Sequence, residues 1–293
     1  MLSKKQLDLI AYIEAISALE AGTIGYMPQV LVAANLPYKK PNSNEFERVN
    51  GNYRLTLISP NNVGLPYGSI PRIIIAWIAT EVVLKKKREI ILGNSMSHFI
   101  KEIGYFVSGG HNGSIFCIKD QIKRFFSTNI SYVYSDNDMY ITDSYNPVSQ
   151  SLLYWNLTNR YKTNRWWQSK ILLNESFYNE IIDKAVPVDM RALEFLRRSP
   201  MGIDIYVWLT YRMSYLRRRS KIPWVSLSNQ LGSGYGRLRD FKKAFKKHIK
   251  LISLIYPQAK FDFEDKFLIL QPSPPHVSKY VNKRSYPRIS GRG

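Results

Sequence analysis

Apolar residues recur at three- and four-residue steps along Leu238, Phe241, Phe245, Ile249 and Ile252, while Arg239, Lys242, Lys243, Lys246, Lys247 and Lys250 fall at i, i+3, i+4, i+7, i+8 and i+11. This period predicts a helix with a buried stripe and an opposite cationic face. Before it, Leu227 and Leu231 stand one turn apart behind Ser226, a residue able to cap a helix. Gly232, Gly234 and Gly236 offer the positive φ that a sharp reversal needs. After it, Lys260–Gln271 alternates around Glu264 and Asp265 as a β-hairpin does. Helix, turn, basic helix, hairpin is the order of a winged helix. A helix about ten ångströms across with one cationic face fits the major groove of duplex DNA. A solvated charged face is the plainer explanation of such a run, and the hairpin that follows favours the DNA reading.

Similar signals occur earlier. Ser3-Lys4-Lys5-Gln6 resembles a capping box, and Leu9, Ile13 and Ile16 carry a short helix toward Gly22. Residues 27–51, with Pro28, Pro37, Pro41, Asn42 and Asn44, read as a connecting arm, and Tyr53–Ile58 alternates as a strand. From Gly68 a long helix is predicted by Ile70, Ile74, Trp77, Ile78 and Val82; it ends in Lys85–Arg88, where cations suit the helix dipole. Glu89–Leu92 reads as a strand, and Asn94 or Ser95 caps a helix closed by Gly104. Ser114–Phe126 predicts a helix with Ile115, Ile118, Ile122 and Phe125 inward and Lys119, Lys123 and Arg124 outward; Cys117 reads as core. Ile130–Tyr134 and Met139–Thr142 flank Asp136-Asn137-Asp138 as a hairpin.

In the second half, strand Ile171–Leu173 and a helix around Phe177–Ile182 precede a break at Val186-Pro187-Val188. Asp189 caps Met190–Leu196, and an apolar helix from Met201 to Leu216 leads into Arg217-Arg218-Arg219 and Lys221, a cluster that suits either phosphate or the helix dipole. Ile70 matches Met201, Ser95 matches Ser226, Ser114 falls near Arg237 and Ile130 near Phe261, at offsets of 131, 131, 123 and 131 residues. The repeat implies duplication of one module. The expected fold is therefore α+β, mainly helical: an N-terminal winged-helix domain over 1–150, a C-terminal one over 151–275, both with β-hairpin wings, and a disordered basic tail over 276–293. At the junction, Trp155, Arg160, Tyr161, Lys162, Arg165, Trp166 and Trp167 mix cations with aromatics and read as packing groups.

Charge sharpens this picture. Of 293 residues, 42 are Lys or Arg against 22 Asp or Glu, a formal net charge of +20 that attracts polyanions. No apolar run approaches the roughly 18–20 residues of a spanning helix, so no membrane partner is expected. Asp8 and Glu14 interrupt the segment after Lys4 and Lys5, which does not read as a signal peptide. Cys117 is the single cysteine, which excludes an internal disulfide and suits a reducing cytoplasm.

Catalytic chemistry finds little support. No Gly-Lys pair occurs, so a phosphate-binding loop is absent. His98, His111, His248 and His276 are isolated, which disfavours a rolling-circle nuclease site. Asp136 and Asp138, and Asp262, Glu264 and Asp265, are the carboxylate clusters that could bind magnesium, but both sit at hairpin tips where polar turn residues belong. No catalytic residue, metal or cofactor is expected. The candidate double-stranded DNA contacts are Ser226, Ser228 and Asn229 of the first helix, Ser233 and Tyr235 at the entry turn, then Arg237, Arg239, Lys242, Lys243 and Lys246. His111, Asn112, Ser114, Lys119, Lys123 and Arg124 are their first-half counterparts, diluted by Asp120. The tail from Pro272 adds five Lys or Arg and no acid, a source of sequence-independent affinity.

Several motifs carry a resemblance: Gly68-Ser-Ile-Pro-Arg-Ile-Ile74, Leu92–Gly104, Gly109-Gly-His-Asn-Gly-Ser114 with Asp120-Gln121, Asp204–Arg212, and Pro223-Trp-Val-Ser-Leu227. In this order, over residues 45–275, the chain resembles the RepA-type replication initiators of plasmids. The resemblance implies tandem winged helices, binding to repeated origin sequences (iterons), local opening of the duplex and recruitment of the host initiator and replicative helicase. Where the family motif continues with Arg and Trp after the glycine pair, this chain has His111 and Asn112. A homodimer stays open. The rival functions are a transcriptional repressor, including a repressor of its own gene, and a nicking or primase-like enzyme.

Overall fold

Ser3 opens α1 (Lys4–Ala15) with a reciprocal capping box: its Oγ accepts from the Gln6 N–H and its own N–H donates to Gln6 Oε1. The computed structural model describes residues 2–33, 35–93, 95–153, 169–232 and 234–278. The Trp155–Trp167 junction and the tail cations Lys279, Lys283, Arg284, Arg288 and Arg292 lie outside them.

The region 27–51 is more ordered than its prolines suggest. Next to β1 (Ile24–Met27) it contributes α2 (Gln29–Ala33) and β2 (Glu45–Asn50). β2 is the first strand of an antiparallel sheet ordered β2, β3 (Tyr53–Ile58), β5 (Asn129–Ser135) and β6 (Tyr140–Tyr145). Leu57 faces Ile130 across it, both fully buried. A second sheet puts β8 (Ser169–Leu173) between β4 (Glu89–Gly93) and β7 (Val148–Leu152). The expected break at Val186-Pro187-Val188 is instead β9 (Val186–Asp189), paired antiparallel with β1. This is a two-stranded ribbon in which both members are edges, where a proline's missing N–H is tolerated. The last sheet has the order β10 (Ser220–Pro223), β12 (Phe267–Leu270), β11 (Phe261–Phe263).

With 43% helix and 23% strand, the fold is mixed α/β rather than mainly helical. Apolar residues that alternate in short runs became strands that pair across long stretches of chain.

Two helices run through the core. α3 (Ser69–Lys85) and α8 (Pro200–Tyr215) are apolar nearly all round, as buried helices are. Ile74, Ile75, Ile78 and Val82 on one, and Ile203, Ile205, Tyr206 and Leu209 on the other, are fully buried in one cluster that spans both halves of the chain. Their first turns are joined by an ion pair. Arg72 Nε lies 2.7 Å from Asp204 Oδ1 and Nη2 lies 2.7 Å from Oδ2, with side chains only 3% and 10% exposed. The same guanidinium donates to the carbonyls of Leu36 (2.7 Å) and Gly68 (2.6 Å). A bidentate pair with its spare donors used is the arrangement a buried charge requires.

The remaining helices are α4 (Met96–Glu102), α5 (Ser114–Ser127), α6 (Glu175–Lys184), α7 (Met190–Leu196), α9 (Trp224–Leu231) and α10 (Leu238–Ile252). Ser95 and Asp189 cap α4 and α7, as expected. Arg191, paired with Asp189 at 2.7 Å, donates to the carbonyls of Tyr12 and Ile16 and so holds α1 against α7. The order α3, β4, α4, α5, β5, β6 recurs as α8, β10, α9, α10, β11, β12. The pairing differs: β10 joins its own hairpin, whereas β4 joins β8, and the β5–β6 hairpin extends β3. Among the described residues, no helix is long and apolar enough to cross a membrane.

Candidate nucleic-acid interface

α10 is anchored by aromatic packing on one side and open on the other. Phe241, Phe245, Ile249 and Ile252 are fully buried; Leu238, expected in this stripe, is 39% exposed because it occupies the first, projecting turn. Trp224, 1% exposed, meets Phe245 edge-on at 5.6 Å and stacks with Phe263 at 6.2 Å, and its indole N–H donates to the Glu264 carbonyl. Helix and hairpin therefore share one aromatic wedge. Nothing in the helical period singles out Trp224; its place immediately before the α9 stripe is the only hint.

The six cations of α10 divide into two groups. Arg239, Lys243, Lys247 and Lys250 are exposed, and at about 100° per residue they fall within a sector of about 80°. Lys242 and Lys246 instead lean toward the hairpin. Lys242 Nζ lies 3.1 Å from Asp265 Oδ1 and 5.8 Å from the Trp224 ring centre, and Lys246 stands 4.9 Å over Phe263. Two more cations meet the hairpin tip, Lys221 at 3.0 Å and Arg219 at 3.4 Å from Glu264. Arg217 and Arg218 remain exposed. Burial pushes the His248 imidazole of α10 below its ordinary range.

The entry turn is tighter than three flexible glycines would make it. Gly234 alone of the three has a positive φ, at 83°. Gly232 ends α9 with its N–H on the Ser228 carbonyl, and a Cβ there would stand 2.3 Å from that oxygen. Tyr235 is half-buried, its ring 6.0 Å from Phe241 and its hydroxyl pushed up by burial. Arg237 pairs with Asp240 at 2.7 Å. Ser226 does not cap α9, which starts two residues earlier behind Pro223; it lies exposed in the first turn, with Asn229 exposed and Ser228 half-buried. Ser233 falls outside the described residues.

In the first half, Ile118, Ile122 and Phe125 of α5 are fully buried, while Ile115 and Cys117 are only half-buried. Arg124 is committed inward: it pairs with Asp120 at 2.7 Å and lies over Tyr67. Gln121 is buried and accepts the Tyr67 N–H. Ser114 is bound to Ser108, its Oγ accepting from that residue's N–H at 2.9 Å. Lys123, His111 and Asn112 are exposed and Lys119 half-buried, with His111 packed 4.5 Å from Phe116. Of these two helices, α10 therefore carries the more exposed cations.

The carboxylate clusters have structural partners. Asp136 accepts from the Tyr134 hydroxyl and from the N–H groups of Asp138 and Met139, bonds that hold its carboxyl below the usual range. Among the described residues, no group of three or more His, Cys, Asp or Glu could hold a metal ion.

Against known proteins, residues 65–225 match the family model described as plasmid encoded RepA protein. The chain belongs to the plasmid-encoded RepA family. The matched span holds both partners of the Arg72–Asp204 pair and ends at Val225, before α10. The RepA-family fold here is also similar to a crystal structure of domains 2 and 3 of RctB, with a TM-score of 0.52 at 12% identity, covering 84% of this chain and 98% of that one. No curated protein matches this chain.

Proposed function

We propose that this RepA-family chain is a plasmid replication initiator that binds double-stranded origin DNA, with α10 of its second half as the recognition helix. The single observation that carries this is the exposed row of Arg239, Lys243, Lys247 and Lys250 on a helix held from behind by Trp224, which packs edge-on against its Phe245. A clamped helix presents cations to a groove without first ordering them. The two halves, 1–150 and 151–275, are read as tandem winged helices. What supports this reading is that β10 pairs with the β11–β12 hairpin in the second half, while in the first the β5–β6 hairpin lies beside β3 and β2. Lys119 and Lys123 give the first half a weaker contact. Duplex opening and recruitment of the host initiator and helicase follow binding.

The test is a gel-shift titration on a fragment of the parent plasmid's origin. Arg239→Ala and Lys243→Ala should each weaken specific binding by about 1–3 kcal/mol; affinities equal to wild type refute the assignment. Permanganate-reactive thymines in the bound fragment support initiation, whereas binding with a fully paired duplex leaves a repressor.

A further inference from the structure

A cleft of about 460 Å³ lies between the first-half sheet and the end of α8, well within the size range of small-ligand sites. Its walls are aromatic: Tyr53 and Tyr132 from β3 and β5 on one side, Trp208, Tyr211 and Tyr215 from α8 on the other. Val32 of α2 and Gln230 of α9 also line it, and Gln230 Nε2 donates to the carbonyls of Val32 and Ala33, which ties α9 to α2.

Three cations line the same space. Lys184 has a counterion in Glu180 at 3.5 Å, and Arg54 has one in Glu47 at 3.0 Å. Arg212 differs. Its guanidinium is held by the hydroxyls of Tyr215 (2.8 Å) and Ser220 (3.4 Å), its Nε is buried without a hydrogen-bond partner, and no carboxylate of the described residues pairs with it. A fixed, uncompensated guanidinium among flat aromatic faces favours a ligand that joins an anion to a planar ring.

We propose that this cleft binds a nucleotide unit, its base against Tyr53 and the α8 tyrosines and its phosphate toward Arg212 and Arg54. Single-stranded DNA and a free mononucleotide offer the same chemistry, and the two sources are separable. The proposal does not rest on duplex recognition by α10, because the cleft is built from other side chains. Because Ile222 of β10 and Ser226 of α9 also line the cleft, an occupant touches the elements that lead into α10.

The experiment is isothermal titration of the full chain with AMP, with ATP and with a single-stranded oligothymidylate, at low and at raised salt, for wild type, Tyr53→Ala and Arg212→Gln. Saturable binding that survives the raised salt and is weakened about tenfold by Tyr53→Ala or Arg212→Gln is expected, one stacked base supplying a contact of that order. Binding of AMP or ATP identifies a free nucleotide, and binding of the oligonucleotide alone identifies a strand. Absence of heat with all three ligands overturns the proposal. So does binding indifferent to the cleft variants or abolished by raised salt, which would mean adsorption to the cationic surface. Tyr53 is 49% exposed, so its removal disturbs little packing and decides the matter if Arg212→Gln fails to fold.

Discussion

Arg72→Ala should destabilise the protein by about 3–5 kcal/mol, the magnitude for leaving one member of a buried ion pair alone. Asp204 is 10% exposed, and no other cation of the described residues pairs with it, so its carboxylate would lose its compensation. The carbonyls of Leu36 and Gly68 would lose their donor as well, which adds about 1–3 kcal/mol for each that water cannot reach. Asp204→Asn should cost a similar amount by stranding the guanidinium. Arg72→Ala combined with Asp204→Asn removes both charges together, so the double variant should be more stable than the two single losses predict, by a coupling energy of up to about 3 kcal/mol. Urea unfolding of all four proteins, followed by circular dichroism, measures that coupling. Additivity to within about 0.5 kcal/mol would refute the reading of this pair as the link between the two core helices.

Three further expectations concern other parts of the molecule. Glu264→Gln with Asp265→Asn should release Arg219, Lys221 and Lys242 from the hairpin tip; salt-titrated filter binding to non-specific duplex should then show a slope steeper by about 1–3, and an unchanged slope contradicts it. Burial lowers His276 from 6.5 to about 4, so the unfolded chain takes up a proton that the folded one refuses between those values. Stability fully present above pH 6.5 should therefore fall by about 3 kcal/mol as pH drops from 6.5 to 4, and His276→Gln should flatten that part of the urea-midpoint profile. Gly113→Ala would put a Cβ 2.2 Å from the Gly109 carbonyl oxygen and should cost about 1–3 kcal/mol, read as a lower urea midpoint; wild-type stability would show that this turn can open.

Helices and caps were legible because their signals are local. Ser3 with Gln6, Ser95 and Asp189 each name a helix start within four residues, and the Phe241–Ile252 stripe names the buried face of α10. Pairing partners were not legible. β4 finds β8 across 80 residues and β1 finds β9 across more than 160, distances over which alternation in one strand carries no information about the other. The same limit hid Arg72 and Asp204: each stands within the span that matches the family, but nothing local says they bind each other. On α10 the helical period sets six cations apart from the apolar stripe. It could not show that Lys242 and Lys246 turn to the hairpin, because that depends on where Asp265 and Phe263 arrive in space.

Strand β8 has one more implication. It comes from beyond residue 168 yet completes the sheet between β4 and β7, so a fragment stopped at residue 150 would be born with two naked strand margins. Bare margins recruit one another. Truncations meant to isolate the first half should therefore reach at least Leu173, or they will study a sticky, self-associating piece in place of the protein.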